Sequence, residues 1–415
     1  MSNKDSGMTA PRKDARILIY SHDTFGLGHL RRCRAIAHSL VERFKQLSVL
    51  ILSGSPIIGS FDFRSRVDFV RIPGVIKLRN GEYTPLNLHI DVEQTLTLRS
   101  SIIQHTADIF RPDIFIVDKE PVGLRGEVLE TLEMLKPRGT RLVLGLRDVM
   151  DEPRQLQPEW DRKNVLPALR DLYDELWIYG LPQICDPLEG IELPTSVRRK
   201  MTYTGYLHRE VATGGAPPRL PEITNRPYML VTTGGGGDGE ALIDWVLRAY
   251  ESDPLLPYPA LLVLGPFMQA ERQTEFMDRA SRLKRVETIT FHNNLEALVA
   301  RAACVVGMAG YNTFCEVISL DKRALLVPRT EPRLEQYIRA SRAAKLGLVS
   351  MLADEGRHDP AVMAAALRAL PRQSRPSEVV VPGLLEGLAN VSRLVRPWVE
   401  IADADEDPAA IPLVG

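Results

Sequence analysis

Again and again along this chain a short apolar stretch meets a small or polar turn and then a helical pattern. In the first half the stretches are Arg16–Tyr20, Val49–Ser53, Ile114–Asp118, Arg141–Leu146 and Glu175–Tyr179. In the second they are Tyr228–Thr233, Ala260–Gly265, Glu287–Phe291, Cys304–Gly307 and Ala324–Val327. Strands this apolar leave no face for water, and their alternation with helices predicts parallel sheets covered on both sides. The clearest helix is Leu30–Lys45, where Leu30, Cys33, Ala37, Leu40, Val41 and Phe44 share one stripe. A chain of 415 residues exceeds one ordinary core and suits two. Ala212–Pro227, rich in glycine, proline and threonine and without apolar periodicity, reads as the linker. This gives α/β domains at 14–211 and 228–400, with polar 1–13 and acidic 402–415 expected to be disordered. Two Rossmann-like, doubly wound domains facing each other place the carboxyl ends of both sheets at a central cleft, where ligands of such folds bind.

The bulk numbers narrow the partners. A hydrophobic content of 44% and a charged content of 25% are those of a globular protein. A net charge of −1 gives no bulk attraction to nucleic acid or anionic lipid. Cys33, Cys185, Cys304 and Cys315 have no metal-ligand spacing and read as thiols in a reducing compartment. With neither an apolar span nor a signal-peptide core in the sequence, a cytoplasmic location is expected.

Two glycine turns in the second half have the chemistry of a phosphate cradle. After Tyr228–Thr233 comes Gly234-Gly235-Gly236-Gly237-Asp238-Gly239, more glycine than a turn requires. Close approach of backbone N–H groups to a diphosphate would justify it; a flexible loop is the plain alternative. The spacing fits neither a dinucleotide fingerprint nor a Walker loop. After Cys304–Gly307 comes Met308-Ala309-Gly310-Tyr311-Asn312-Thr313-Phe314-Cys315-Glu316. Gly310 opens a helix whose free amides and dipole favour phosphate, with Asn312 and Thr313 as added donors and Glu316 as acceptor for ribose hydroxyls. Thr313 and Glu316 also match a capping box. Glu335-Gln336 can bind neighbouring sugar hydroxyls or lie exposed on a helix.

The first half supplies a base. Gly26-Leu27-Gly28-His29 leads into the Leu30–Lys45 helix and sets His29 in its first turn, where the dipole disfavours the protonated ring. A neutral imidazole there can take a proton from an attacking hydroxyl, or simply bond the turn, with His22 as a second candidate. Asp118 and Glu120, ending Ile114–Asp118, could bind an acceptor or orient His29; Arg147 is a further acceptor candidate. Arg64–Arg71 could present basic and apolar groups to a membrane surface, or form an edge strand of alternating charge.

At these residues the chain resembles the GT-B glycosyltransferases, and within them the MurG-like family-28 group. Phe291-His292-Asn293-Asn294-Leu295, then Val305–Glu316, Pro328 and Glu335-Gln336-Tyr337, follow the order of that family's donor-binding half. The resemblance implies a UDP-sugar donor: Phe291 and His292 at the uracil edge, Leu295 against the base, Glu316 on the ribose, Glu335 and Gln336 on the sugar. Gly26-x-Gly28-His29-x-x-Arg32-Cys33 is equally similar to the UDP-sugar hydrolase of pseudaminic acid synthesis, in which water replaces the acceptor. The implied activity is metal-independent, inverting transfer of a sugar from a nucleotide-sugar to a hydroxyl acceptor, lipid-linked or polysaccharide, with His29 as base. No cofactor is implied. A nucleotide-sugar hydrolase and a UDP-sugar 2-epimerase are the alternatives.

Overall fold

The computed structural model describes residues 14–23, 28–77, 82–211, 220–235 and 237–400. Its first lobe is a seven-stranded sheet formed by β1 (Ala15–Ser21), β2 (Leu47–Ser53), β3 (Val67–Arg71), β6 (Ile114–Asp118), β7 (Arg141–Arg147), β8 (Glu175–Tyr179) and β9 (Met201–Tyr203). A small antiparallel ribbon, β4 (Val75–Lys77) with β5 (Tyr83–Pro85), stands apart from it. The strand order is β3-β2-β1-β6-β7-β8-β9, and every pair is parallel. The second lobe joins β10 (Met229–Thr232), β11 (Ala260–Val263), β12 (Val286–Ile289), β13 (Cys304–Gly307), β14 (Arg323–Leu326) and β15 (Ser350–Met351). Its order, β12-β11-β10-β13-β14-β15, is again all parallel.

In each sheet the order reverses beside the first strand, at β1/β6 and at β10/β13, so a crevice opens beyond their carboxyl ends. Burial explains the near-continuous apolar strands: every residue of Ile114–Asp118, Met229–Thr232 and Cys304–Gly307 is buried between helix layers. GT-B is the architecture expected from the sequence. The helix Gly28–Arg43 starts and ends two residues before the expected span, and its buried stripe holds Leu30, Cys33, Ile36, Ala37, Leu40 and Val41.

The lobes are not independent cores. One continuous apolar cluster runs from Ile17 and Ile36 of the first, through Tyr206, to Tyr311 and Phe314 of the second. The last helix, Gly387–Val399, lies in sequence with the second lobe but packs on Gly28–Arg43 of the first. Tyr206 N–H donates to Leu384 O at 2.8 Å, and Gly387 N–H donates to Tyr206 O at 3.1 Å. The 228–400 boundary expected from composition therefore groups a first-lobe element with the second lobe. Of the expected linker, residues 212–219 lie outside the described residues, as do 1–13 and 401–415.

Within Arg64–Arg71, residues 67–71 form the edge strand. Val67–Arg71 pairs with β2, and the Arg66 guanidinium donates to Phe44 O, Lys45 O and Leu47 O at 2.6, 2.8 and 3.2 Å, satisfying carbonyls just past the first helix and at the start of β2. That basic group is engaged in capping rather than presented to a surface. Among the described residues no helix is long and apolar enough to cross a membrane.

Candidate active site

The carboxyl ends of both sheets face one cavity of about 440 Å³, lined from the first lobe by Gly28, His29, Arg31, Arg32, Phe61 and Arg147. From the second lobe come Gly234, Gly235, Phe291, His292, Leu295, Gly310, Asn312, Thr313, Glu335 and Gln336. Sequence reasoning thus brought most of its candidates to one place. Gly26 and Gly236 lie outside the described residues.

His29 is the second residue of its helix. That helix start is held by Asp23, which accepts from Leu30 N–H at 3.2 Å and from Ser53 Oγ at 2.6 Å. The ring meets a buried carboxylate: His29 Nδ1 lies 2.5 Å from Asp118 Oδ2. Arg32, one helical turn on, clamps the same group, with Nε 2.8 Å from Oδ1 and Nη2 2.7 Å from Oδ2. Burial alone would raise the Asp118 carboxyl, but Arg32 and His29 hold it well below the usual range. An ionised carboxylate only accepts, so Nδ1 carries the proton and Nε2 keeps its lone pair for the cleft. Burial also lowers the His29 pKa, against Asp118, which raises it. Burial is the largest of these causes, and it favours the neutral ring. His22 lies behind, edge-on to His29 at 5.6 Å, with Nδ1 3.2 Å from the Tyr20 hydroxyl.

Three acceptor candidates take other places. Asp118 is buried beneath His29 and orients it. Glu120 is buried in ion pairs with Lys163 at 2.7 Å and Lys119 at 3.4 Å, so a substrate hydroxyl cannot reach it. Arg147 does line the cleft, but faces the Glu335 side of it.

Opposite His29, Gly310 caps the helix Tyr311–Ser319 with no side-chain cap, leaving the first-turn amides to the cavity. A Cβ added at Gly310 would meet nothing within 4 Å, so this edge of the helix start is open. Because Thr313 lies inside the helix, the capping-box alternative falls away. Gly234, at φ +67°, makes the left-handed turn that lifts the neighbouring loop to the same cavity. The Gly234 N–H itself donates to Thr232 Oγ1 at 3.3 Å, so the backbone of Gly235 and the first-turn amides after Gly310 are the parts of the two loops suited to an anion.

Two expected ligands are otherwise engaged. Asn312 Nδ2 donates to Gly28 O at 3.0 Å, and its Oδ1 accepts from Arg209 Nη2 at 2.8 Å, so its amide stitches the lobes together. Glu316 is covered by Arg31, which ion-pairs with it and lies 2.8 Å from Glu296. One guanidinium serves two carboxylates: burial and Glu296 push Glu316 up to about 7 against Arg31, while Arg31 holds Glu296 below its ordinary value despite burial. Glu316 Oε2 is buried without a partner. A ribose would thus meet Arg31 before Glu316.

At one end of the cavity Phe291 meets Phe61 of the first lobe at 6.5 Å, with Phe267 and Leu30 in the same apolar cluster, a surface suited to a planar base. At the other, Glu335 Oε1 accepts from Arg329 Nη2 at 2.7 Å, and Gln336 Oε1 accepts from Arg329 N–H at 3.4 Å. The sequence reading did not single out Arg31, Arg329, Phe61 or Phe267, and named Arg32 only within a motif. The spacing of His29 and Arg32, three apart on one helix, was the signal available for the last.

Comparison with known proteins agrees with this fold. Residues 229–377 match the model of the family described as the glycosyltransferase family 28 C-terminal domain. A UDP-N-acetylglucosamine–N-acetylmuramyl-(pentapeptide) pyrophosphoryl-undecaprenol N-acetylglucosamine transferase of Rhodopseudomonas palustris is 29% identical over 153 residues, 36% of this chain. The match spans 41% of that relative's length. MurG of Acinetobacter baumannii superposes with a TM-score of 0.55 at 14% identity, over 92% of this chain and 99% of its own. A UDP-glucosyltransferase from Polygonum tinctorium, capable of glucosylating indoxyl, gives 0.60 at 13% identity, over 94% and 99%. The second lobe therefore carries a glycosyltransferase family 28 C-terminal domain, in a chain of GT-B fold.

Proposed function

We propose that this chain transfers a sugar from a UDP-sugar or similar nucleotide-sugar to a hydroxyl acceptor, with inversion and without a metal. The observation that carries the reading is the opposition, across one cavity, of a buried His29–Asp118 pair and the uncapped helix start at Gly310. The base lies in the aromatic end of the cleft, the diphosphate against Gly234, Gly235 and the amides after Gly310, and the sugar toward Glu335 and Gln336. His29 Nε2 takes the acceptor proton as that oxygen bonds to the anomeric carbon. The bond from that carbon to the diphosphate breaks, and the fixed amides hold the charge that develops on the leaving group. The relative's pyrophosphoryl-undecaprenol acceptor favours a lipid-linked hydroxyl here, which would bring a cytoplasmic protein to the membrane's inner face.

Screening UDP- and dTDP-sugars for thermal stabilisation, then measuring nucleotide release with and without alcohol acceptors, tests this. Acceptor-dependent release supports transfer. Equal release in water alone would make the chain a hydrolase, and an altered free nucleotide-sugar an epimerase.

The pH profile follows from His29. The base works only unprotonated, so activity is lost as pH falls through its pKa, which burial lowers from 6.5. The acid limb of kcat/KM is expected below pH 6.5. A limb centred above about pH 7 would assign it to another group.

A further inference from the structure

Arg147 and Glu335 face each other across the cleft for a structural reason. Asp148 and Arg339 form a fully buried pair between the lobes, with Arg339 Nε 2.7 Å from Oδ2 and Nη2 2.5 Å from Oδ1. Arg147 immediately precedes Asp148, and Glu335 lies one helical turn before Arg339 on the same face of Glu335–Lys345. That buried pair fixes the two cavity-lining residues opposite one another. Each keeps a buried polar atom without a partner: Arg147 Nε and Glu335 Oε2. Arg31, Arg32 and Arg329, which also line the cleft, are each held by a carboxylate. Among the described residues no carboxylate oxygen lies within the 4.0 Å ion-pair distance of Arg147.

The group that fits between them must give a hydrogen to Glu335 and accept one from Arg147. A hydroxyl does both. A carboxylate or phosphate has no hydrogen to give and meets the charge of Glu335; an apolar group satisfies neither side. Glu335 itself is an acceptor at neutral pH: burial raises its pKa, but Arg147 first and Arg329 second bring it below the ordinary value.

We propose that Arg147 and Glu335 together read one hydroxyl of the transferred sugar, so that both lobes grip the sugar and the chain selects donors hydroxylated at that position over deoxygenated ones. This rests on the nucleotide-sugar reading above and adds a first-lobe residue to donor selection. It also gives donor binding a reason to hold the lobes together.

The test is calorimetric titration of wild type, Arg147→Ala and the volume-keeping Arg147→Met with UDP, UDP-glucose, UDP-galactose and UDP-N-acetylglucosamine. The best of these is then repeated with each sugar hydroxyl removed in turn. UDP affinity is expected to stay within about twofold, which also reports an intact fold, while the best UDP-sugar binds about 10–100-fold more weakly to either variant. One deoxygenated analogue should show that same loss with wild type and no further loss with the variants. Equal weakening of UDP and UDP-sugar would assign Arg147 to the diphosphate and overturn the proposal. So would a deoxygenation penalty that survives in both variants at every position. Failure of wild type to bind UDP or any UDP-sugar would instead overturn the nucleotide-sugar reading itself.

Discussion

The His29→Ala variant is expected to turn over about 10²–10⁴-fold more slowly than wild type while binding UDP with unchanged affinity. The ring lies on the first-lobe wall, and Gly234, Gly235 and the amides of the Gly310 helix start form the opposite one, so its loss removes the proton acceptor and leaves the nucleotide cradle intact. Asp118→Asn is the sharper companion. An amide can donate to Nδ1 where the carboxylate only accepts, which moves the ring proton to Nε2 and blocks the base. The geometry would survive through Arg32, yet the rate should fall by an amount approaching that of His29→Ala. Single-turnover measurement under saturating donor separates this from weakened binding. A rate within about threefold of wild type for both variants would remove His29 from the chemistry.

The largest expected effect on stability comes from the Asp148–Arg339 pair. Both side chains are fully buried, and Asp148 also accepts from the Tyr206 hydroxyl at 2.8 Å while Arg339 Nη1 donates to Ala309 O at 2.7 Å. Arg339→Ala leaves Asp148 buried without its cation, at a cost of about 3–5 kcal/mol. The apolar double variant Asp148→Leu with Arg339→Met should recover much of this, since two uncharged groups need no solvation. It stops short of wild type because Tyr206 loses its acceptor, a penalty of about 1–3 kcal/mol. Urea unfolding followed by tryptophan fluorescence gives both numbers. An Arg339→Ala loss below about 1 kcal/mol would mean the pair contributes no more than an exposed one.

What the sequence revealed and what it hid have separate causes. Both sheets were legible because parallel strands buried on two faces carry unbroken apolar stretches, as in Ile114–Asp118 and Cys304–Gly307. The edge strands Met201–Tyr203 and Ser350–Met351 were not, being two or three residues long and half covered. The helix Val92–Phe110 escaped notice because its inward stripe, Thr95, Leu96, Arg99, Ile103 and Ala107, includes a buried arginine. Arg99 is neutralised by Glu127, with Nε 2.6 Å from Oε2, a partner 28 residues away that no local period reveals. The same limit applies to the site. Glycine turns and a first-turn histidine announced the cleft, because loop chemistry is local. The coverage of Glu316 by Arg31, the placement of Asp118 beneath His29 and the stitching by Asn312 are contacts across long sequence separations. Capping competes for the same residue types as ligand binding, so Thr313 and Glu316 stayed ambiguous until the helix start was placed at Gly310.

The central claim is that one nucleotide occupies the cleft between the two lobes, with His29 opposite the glycine cradle. Amide hydrogen exchange with and without saturating UDP measures this directly. The account predicts slowed exchange together at 28–32, 233–235, 237–238, 291–295 and 308–313, segments that line this cavity from both lobes. Protection confined to one lobe, or appearing on the outer surface around Arg16, His105 and Phe110 instead, would contradict it.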